Sequence, residues 1–455
     1  MDPGPTPRDV VFGLMRTGGA SVAIKVSNGI LAYVMLLVIA RASSIEQYGI
    51  FAVAFSVAMS GSYISTLAQP WAVTLFWPQW MGQEKPLRAR TALRLSFLVT
   101  GLGVLGAGVL LVMAGTLNLV AQMPWSFGVA AATALLTMVL ACAEFSSAGL
   151  RAQGYVVLAL APRDIVWRFL ICALFGGAAL AGMSVDAEII VLVVAGILGL
   201  VISPQLAMLW RSTEALTEQN LPKTDRTFLS RYSLVIWSTH TFKLIRDYAG
   251  VVIVSIYLGA EAAGAYFVAD RTAFFLSFLL LAINLVSAPL ISRYFHTGRK
   301  ELVKLIVGLS GLVAGVTAFI GLMFFLFFGA EILSFFNAAY SGYLPILLIL
   351  CFAQFIAAAS GPVSALLTLS GHEMVDLALA VAFGTIGVGL QLLAGLYWGP
   401  VGVAVAAGAA TILVHVIAVG FAWRILRIDT TGISLAVQFL RKLTGSVLSN
   451  WSASR

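Results

Sequence analysis

The chain alternates long apolar stretches with short polar ones. Twelve stretches reach the roughly 20 residues that an α-helix needs to cross a bilayer. They run at about 19–42, 49–76, 92–114, 126–149, 163–183, 188–210, 231–257, 264–290, 302–329, 344–368, 375–397 and 400–424. Strong helical periodicity is not expected within them, because bundled helices face both lipid and protein. The pattern predicts an all-α integral membrane protein of twelve spans.

Composition agrees. Of 455 residues, 60% are hydrophobic and 10% are charged, and the mean hydropathy is +0.99. A soluble domain is nearer one-quarter charged. The N-terminus does not read as a cleavable signal: its apolar run is too long, it carries Lys25, and no small-x-small site follows. A short cytosolic lead is expected instead. Cys142, Cys172 and Cys351 fall in apolar segments and read as small core residues, and the four histidines show no ligand spacing. No metal site or cofactor is expected.

The net charge of +8 would suit nucleic acid, but its placement follows topology. The lead holds Arg8 and Arg16; the second loop holds Lys85, Arg88 and Arg90, with Arg94 just beyond. Arg151, Arg163 and Arg168 surround the fourth, and Arg211, Lys223, Arg226 and Arg231 the sixth. Arg293, Arg299, Lys300 and Lys304 mark the eighth; Arg424, Arg427, Arg441, Lys442 and Arg455 follow the last span. The alternate loops carry Glu46, Asp186, Glu188, Glu261 and Glu331, with Arg41 alone nearby. Twelve spans with both termini cytosolic satisfy the positive-inside rule loop by loop. No nucleic-acid partner is needed.

The two halves repeat. "IEQYGIFAVA" (45–54) matches "AEAAGAYFVA" (260–269), pairing Glu46 with Glu261 and Gly49 with Gly264 at an offset of 215. "LRAQGY" (150–155) matches "LTLSGH" (367–372) at 217, and "MLWR" (208–211) matches "FAWR" (421–424) at 213. Six spans per half is an even number, so the halves share one orientation, related by an axis along the membrane normal. The expected organisation is an N-terminal lobe (1–210), a cytosolic linker (211–230), a C-terminal lobe (231–424) and a cytosolic tail (425–455). The tail either lies on the anionic leaflet through Arg427, Arg441 and Lys442 or is disordered. Small residues at 311–315 and 404–410 suit close helix contacts. Pro70 and Pro289, then Pro204 and Pro362, interrupt spans in similar places, as moving helices or as simple kinks.

Ionisable residues inside spans are costly and normally face a cavity or a partner. Lys243, Arg246, Asp247 and Gly250 follow i, i+3, i+4, i+7 spacing on one face of span 7, and His240 extends the stripe. Arg246 is about 16 Å from the outer end, near the midplane, and Arg271 about 10 Å in. Ser21, Lys25 and Asn28 share a face of span 1; by the repeat offset Lys25 corresponds to His240 and Asn28 to Lys243. One reading is a purely internal set of salt bridges. The other is a cationic cavity, in which Lys25, Lys243, Arg246 and Arg271 bind an anion such as a phosphate or diphosphate. That reading rests on cations outnumbering Asp247 and Asp270 on these helices. Asp247, Asp270 and Glu144 either bind a coupling H+ or Na+ or orient cations, Glu144 through Arg168. Asp164 and Arg168 read as a helix-end pair, and Asp376 as interfacial. No GxGxxG after a strand, GxxxxGK[ST], HExxH, CxxC or GxSxG occurs, so an enzyme is not expected.

"VIARASSIEQYGIFAVAFSVA" (38–58) resembles the ARxxxxxxYGxFxxA pattern of polysaccharide-export flippases, through Ala40, Arg41, Tyr48, Gly49, Phe51 and Ala54. These belong to the multidrug/oligosaccharidyl-lipid/polysaccharide (MOP) superfamily. Residues 343–412 resemble the same family in a proline-started span 10, the turn at Gly371, and the GxxGxAxA of Gly399, Gly402, Ala404 and Ala406. The likeness runs along nearly all of the chain. It implies a two-lobed MATE-like flippase of the bacterial inner membrane. Such a protein moves undecaprenyl-diphosphate-linked O-antigen, capsule or exopolysaccharide units to the outer leaflet. It also implies a polysaccharide polymerase and chain-length machinery as partners. The alternative within the superfamily is a cation-coupled multidrug antiporter. The related peptidoglycan-precursor flippases typically have fourteen spans.

Overall fold

The computed structural model describes residues 24–434, except 26, 117–124 and 214–220. The lead with Arg8 and Arg16, Ser21, and the tail cations Arg441 and Lys442 therefore lie outside the described residues.

Helix α1 (Ser27–Arg41) is followed by α2 (Ile45–Ser65), α3 (Gln69–Gly82), α4 (Pro86–Thr116) and α5 (Phe127–Ala152). Next come α6 (Val156–Ala161), a π turn (Pro162–Val166), α7 (Trp167–Leu180) and α8 (Ala187–Arg211). The second half contains α9 (Lys223–His296), α10 (Lys300–Phe336), α11 (Leu344–Ala359), α12 (Val363–Leu369) and α13 (Glu373–Phe421). Among the described residues, eight helices are long and apolar enough to cross a membrane. The two longest, α9 and α13, each break at one glycine: Gly259 (φ 83°, ψ −179°) and Gly399 (φ 60°, ψ −148°). That backbone region is open essentially only to glycine. Each break turns two antiparallel spans without a loop, and the helical path accommodates the twelve predicted spans in two six-helix lobes.

The expected pairing of proline breaks is not what forms. Helix α8 passes through Pro204 and α9 through Pro289 without ending. Span 2 instead breaks into α2 and α3 at Leu67 and Ala68, both left-handed, with Pro70 starting the new helix. Span 10 breaks at Gly361–Pro362. A proline in the first turn has no hydrogen bond to lose, so it marks a start rather than a kink.

The end of the bundle that carries Arg41 and the Gly259 break is closed by a core drawn from both lobes. Tyr33 of α1 packs edge-on against Phe275 and Phe336, and its hydroxyl lies 3.0 Å from Thr272 Oγ1. Arg41 donates to the carbonyl of Phe335 at 2.6 Å. The repeated glycines meet each other: a Cβ on Gly264 would lie 3.1 Å from the Cα of Gly49. At the end of the bundle where α9 starts, α3 leans on α9, with Trp71 stacked on His240 and Phe76 edge-on to Phe228 and Tyr232. Many large apolar side chains, such as Leu102, Leu110, Phe327 and Trp398, remain exposed, as lipid-facing positions should.

The two glycines at 311 and 315 divide their work. Gly315 packs on Ala359 of α11, as a helix contact should, while Gly311 receives the Thr430 carbonyl of the segment after α13. Asp429 organises that segment, accepting bonds from the backbone N–H groups of Thr431 and Ser434, both at 2.9 Å. Burial opposes its charge, but these bonds hold the carboxyl below its ordinary pKa.

Candidate functional site

Antiparallel folding of α9 about Gly259 decides the centre of the site. Arg246 precedes the break by about 20 Å of helix and Arg271 follows it by about 18 Å. The two guanidinium groups thus reach similar depth. Arg271 is deeper than the sequence reading placed it, because span 8 begins directly after Gly259 rather than after a loop. Both line a cavity of about 230 Å³ with Asp247 and Asp270, walled by Tyr63 of α2, Gln354 of α11 and Gln391 of α13. The stem of Arg246 runs past Gly387 at van der Waals distance, while a Cβ there would meet Ala410 at 2.9 Å.

Arg246 Nε and Nη2 both donate to Asp247 Oδ1, at 3.0 and 2.9 Å. Arg271 Nε and Nη2 donate to Asp270 Oδ2 at 3.0 and 2.7 Å, and its guanidinium lies 4.3 Å from the Tyr248 ring centroid. Each carboxylate therefore orients its neighbour in sequence. Neither Nη1 has a protein acceptor among the described residues. The side chain of Asp247 is 43% exposed and that of Arg246 only 9%. The acid is thus the more open member of the pair.

The other candidates lie elsewhere. Lys243 turns away from the cavity and donates to Asp376 Oδ2 and Ser364 Oγ, each at 2.8 Å, while Ser364 donates to the other oxygen of Asp376 at 2.8 Å. Lys25 makes the equivalent pair in the first lobe, 2.5 Å from Asp164 Oδ2. In both lobes the first span is joined to the fifth by a lysine–aspartate couple. This equates Lys25 with Lys243, and not with His240; the connection at Gly259 is shorter than Ala42–Ser44, so the 215 offset does not carry across it. Asp164 and Asp376, read as helix-end and interfacial residues, are 2% and 8% exposed. Glu144 pairs with Arg163 rather than Arg168, and Arg168 donates to Asn28. The surplus of cations inferred from the sequence is therefore largely neutralised: Lys25, Lys243, Arg246 and Arg271 each hold a carboxylate.

The π turn supplies Arg163 and Asp164 to this network. Pro162 has no N–H to give the Leu158 carbonyl, so the α-helical ladder fails there. Gln205 of α8 replaces it, donating to Leu158 O at 2.6 Å and Ala159 O at 3.3 Å, and is held by Ser146 Oγ, which donates to its Oε1 at 3.1 Å. Gln205 is almost fully buried. Its replacement by leucine is expected to orphan the Leu158 carbonyl and cost about 1–3 kcal/mol. An unchanged thermal unfolding midpoint for Gln205→Leu would refute this support. "APRD" beside a buried-span glutamine was the only sequence signal for the turn.

Beside the polar cavity lies an apolar groove of about 410 Å³ between α2 and α9, lined by Gly61, Ile64, Ile245, Ala249 and Val252. Tyr248 belongs to both walls. No family model matches the chain, and no curated protein sequence matches it. Solved structures do. An inward-facing multidrug resistance MATE family transporter of the MOP superfamily superposes with a TM-score of 0.69 at 12% identity, over 90% of this chain and 98% of that one. A MATE in the bent conformation gives 0.63 at 13% identity, over 92% and 97%. The MATE multidrug transporter DinF-BH gives 0.60 at 15%, over 90% and 95%. At these identities the likeness is one of fold.

Proposed function

We propose that this two-lobed, MATE-fold membrane protein is an alternating-access flippase for undecaprenyl-diphosphate-linked oligosaccharide. In this reading the lobes, about 1–210 and 231–424, rock around the cavity. They carry the substrate from the inner to the outer leaflet of the bacterial inner membrane, and both termini are cytosolic. The carrying observation is the juxtaposition at Tyr248 of a cavity holding two guanidinium groups with an apolar groove. An amphiphile with an anionic head and a hydrocarbon tail matches both halves. The two Nη1 groups offer donors to a diphosphate, and a proton taken by Asp247 would release the remaining donors of Arg246. Asp247 and Asp270 are thus the coupling candidates closest to the substrate; Glu144 sits in a separate pair. A polysaccharide polymerase and chain-length machinery are the partners this reading implies.

A second reading has its own support. The accessible group in the cavity is the Asp247 carboxylate, which suits an organic cation, and DinF-BH is a multidrug transporter. The two are separated in cells lacking the protein. The flippase reading expects lipid-linked oligosaccharide to accumulate facing the cytosol; normal surface glycan with raised drug sensitivity selects the antiporter. In reconstituted vesicles, Arg246→Ala is expected to lower flipping roughly 10- to 100-fold, the loss of charge-assisted hydrogen bonds. Full activity in a correctly inserted variant would remove Arg246 from the site.

A further inference from the structure

We propose that Gln391 is a specificity-determining residue that reads a hydroxyl group, and hence the sugar, of the substrate; this rests on the lipid-linked oligosaccharide reading above. Gln391 sits on α13 in the wall of the cavity that contains Arg246 and Arg271. Its residue surface is 0% exposed, and both Oε1 and Nε2 lack a hydrogen-bond partner among the described residues. The other glutamine of the wall differs: Ser277 Oγ donates to Gln354 Oε1 at 2.6 Å. A buried amide with every bond unmade is destabilising, and leucine or methionine would fill the same volume without that penalty. An amide retained at such a position in a cavity wall has a partner that arrives from the cavity.

The chemistry of that partner follows from the amide. Gln391 offers a donor and an acceptor together. A hydroxyl, which also donates and accepts, satisfies both atoms. A diphosphate only accepts and is served by the guanidinium groups, a protonated amine only donates and would serve Oε1 alone, and a quaternary cation serves neither. The cavity thereby divides recognition into an anionic part on α9 and a hydroxyl-bearing part on α13. A site built to hydrogen-bond a hydroxyl discriminates strongly against an analogue lacking it.

The test compares wild-type protein with Gln391→Leu in lipid nanodiscs, using prenyl diphosphate and prenyl diphosphate carrying one sugar as probes. The wild type is expected to bind the sugar-bearing probe at least about 10-fold more tightly. Gln391→Leu is expected to bind both alike, at the bare probe's affinity, with a thermal midpoint equal to or above wild type. Gln391→Asn, which keeps a shortened amide, is expected to retain part of the discrimination. A lower midpoint in Gln391→Leu with discrimination intact would assign the amide a structural role and overturn the proposal. Equal binding of both probes by wild type would overturn it while leaving the flippase reading standing. Binding of neither probe would overturn the reading itself.

Discussion

Replacing Gly49 with alanine is expected to cause the largest loss of stability of any single methyl added to the core around the Gly259 break. The new Cβ would lie 1.9 Å from the carbonyl oxygen of Ala260 and 2.4 Å from its carbonyl carbon. Both are backbone atoms beside the Gly259 break, so no side chain can rotate away. The crossing of α2 and α9 has to separate, taking with it the packing of Tyr48 on Tyr340 and Phe55 on Phe267. A cost of about 3 kcal/mol or more is expected, at the upper end for overpacking. Gly106→Ala is the control. It has open space around its Cβ position and sits inside α4, so the substitution should stabilise by up to about 1 kcal/mol. Thermal unfolding in detergent measures both. A Val254→Cys probe, buried in the same core, should become reactive to a water-soluble thiol reagent only in the Gly49→Ala background. Equal midpoints and equal protection in the two variants would show that the glycine crossing does not seal that end of the bundle.

Asp376→Ala is expected to have the second large effect. It leaves the Lys243 ammonium among apolar helices with Ser364 as its remaining partner. Removing one member of a buried pair costs about 3–5 kcal/mol, mostly the burden of the stranded charge. The double variant Lys243→Met/Asp376→Leu should recover most of that loss, since it removes both charges and keeps the volume. A double-mutant cycle should return a coupling on the order of 1–3 kcal/mol. The same cycle on Lys25 and Asp164 should behave alike, because the second couple joins the same two spans of the other lobe. If Asp376→Ala unfolds like wild type, or if the cycle is additive, the couples are surface pairs without structural weight.

Particular residues show how much of this was legible in the chain. Gly49 and Gly264 were matched by sequence repeat alone, and the fold brings them into contact. Arg246, Asp247, Arg271 and Asp270 were identified as intramembrane charges and share one cavity. Asp376 and Asp164 were recognised as charged but assigned to the interface, because each lies within a few residues of a span end. Span ends in this protein extend past the apolar stretch: α10 runs from Lys300 to Phe336, well beyond the predicted 302–329. A residue near a predicted end can therefore be deeply buried. The unpartnered amide of Gln391 had no sequence signal, since one glutamine in an apolar run does not reveal whether its amide finds a partner.

The spanning stretches were readable from the chain alone, but the depths of Arg271, Asp164 and Asp376 were not. Hydropathy and the alternation of basic and acidic loops place the spans along the membrane normal, because the transfer cost of a charge depends on how far it is from water. The repeat added the expectation that the lobes share orientation. Rotation and partnership came from the packed fold: which face each helix turns inward, that Lys25 meets Asp164 and Lys243 meets Asp376, and that Arg246 and Arg271 reach one cavity while Lys25 and Glu144 do not. Those outcomes depend on how helices pack side by side within the bilayer plane, about which a one-dimensional profile of transfer energies is silent.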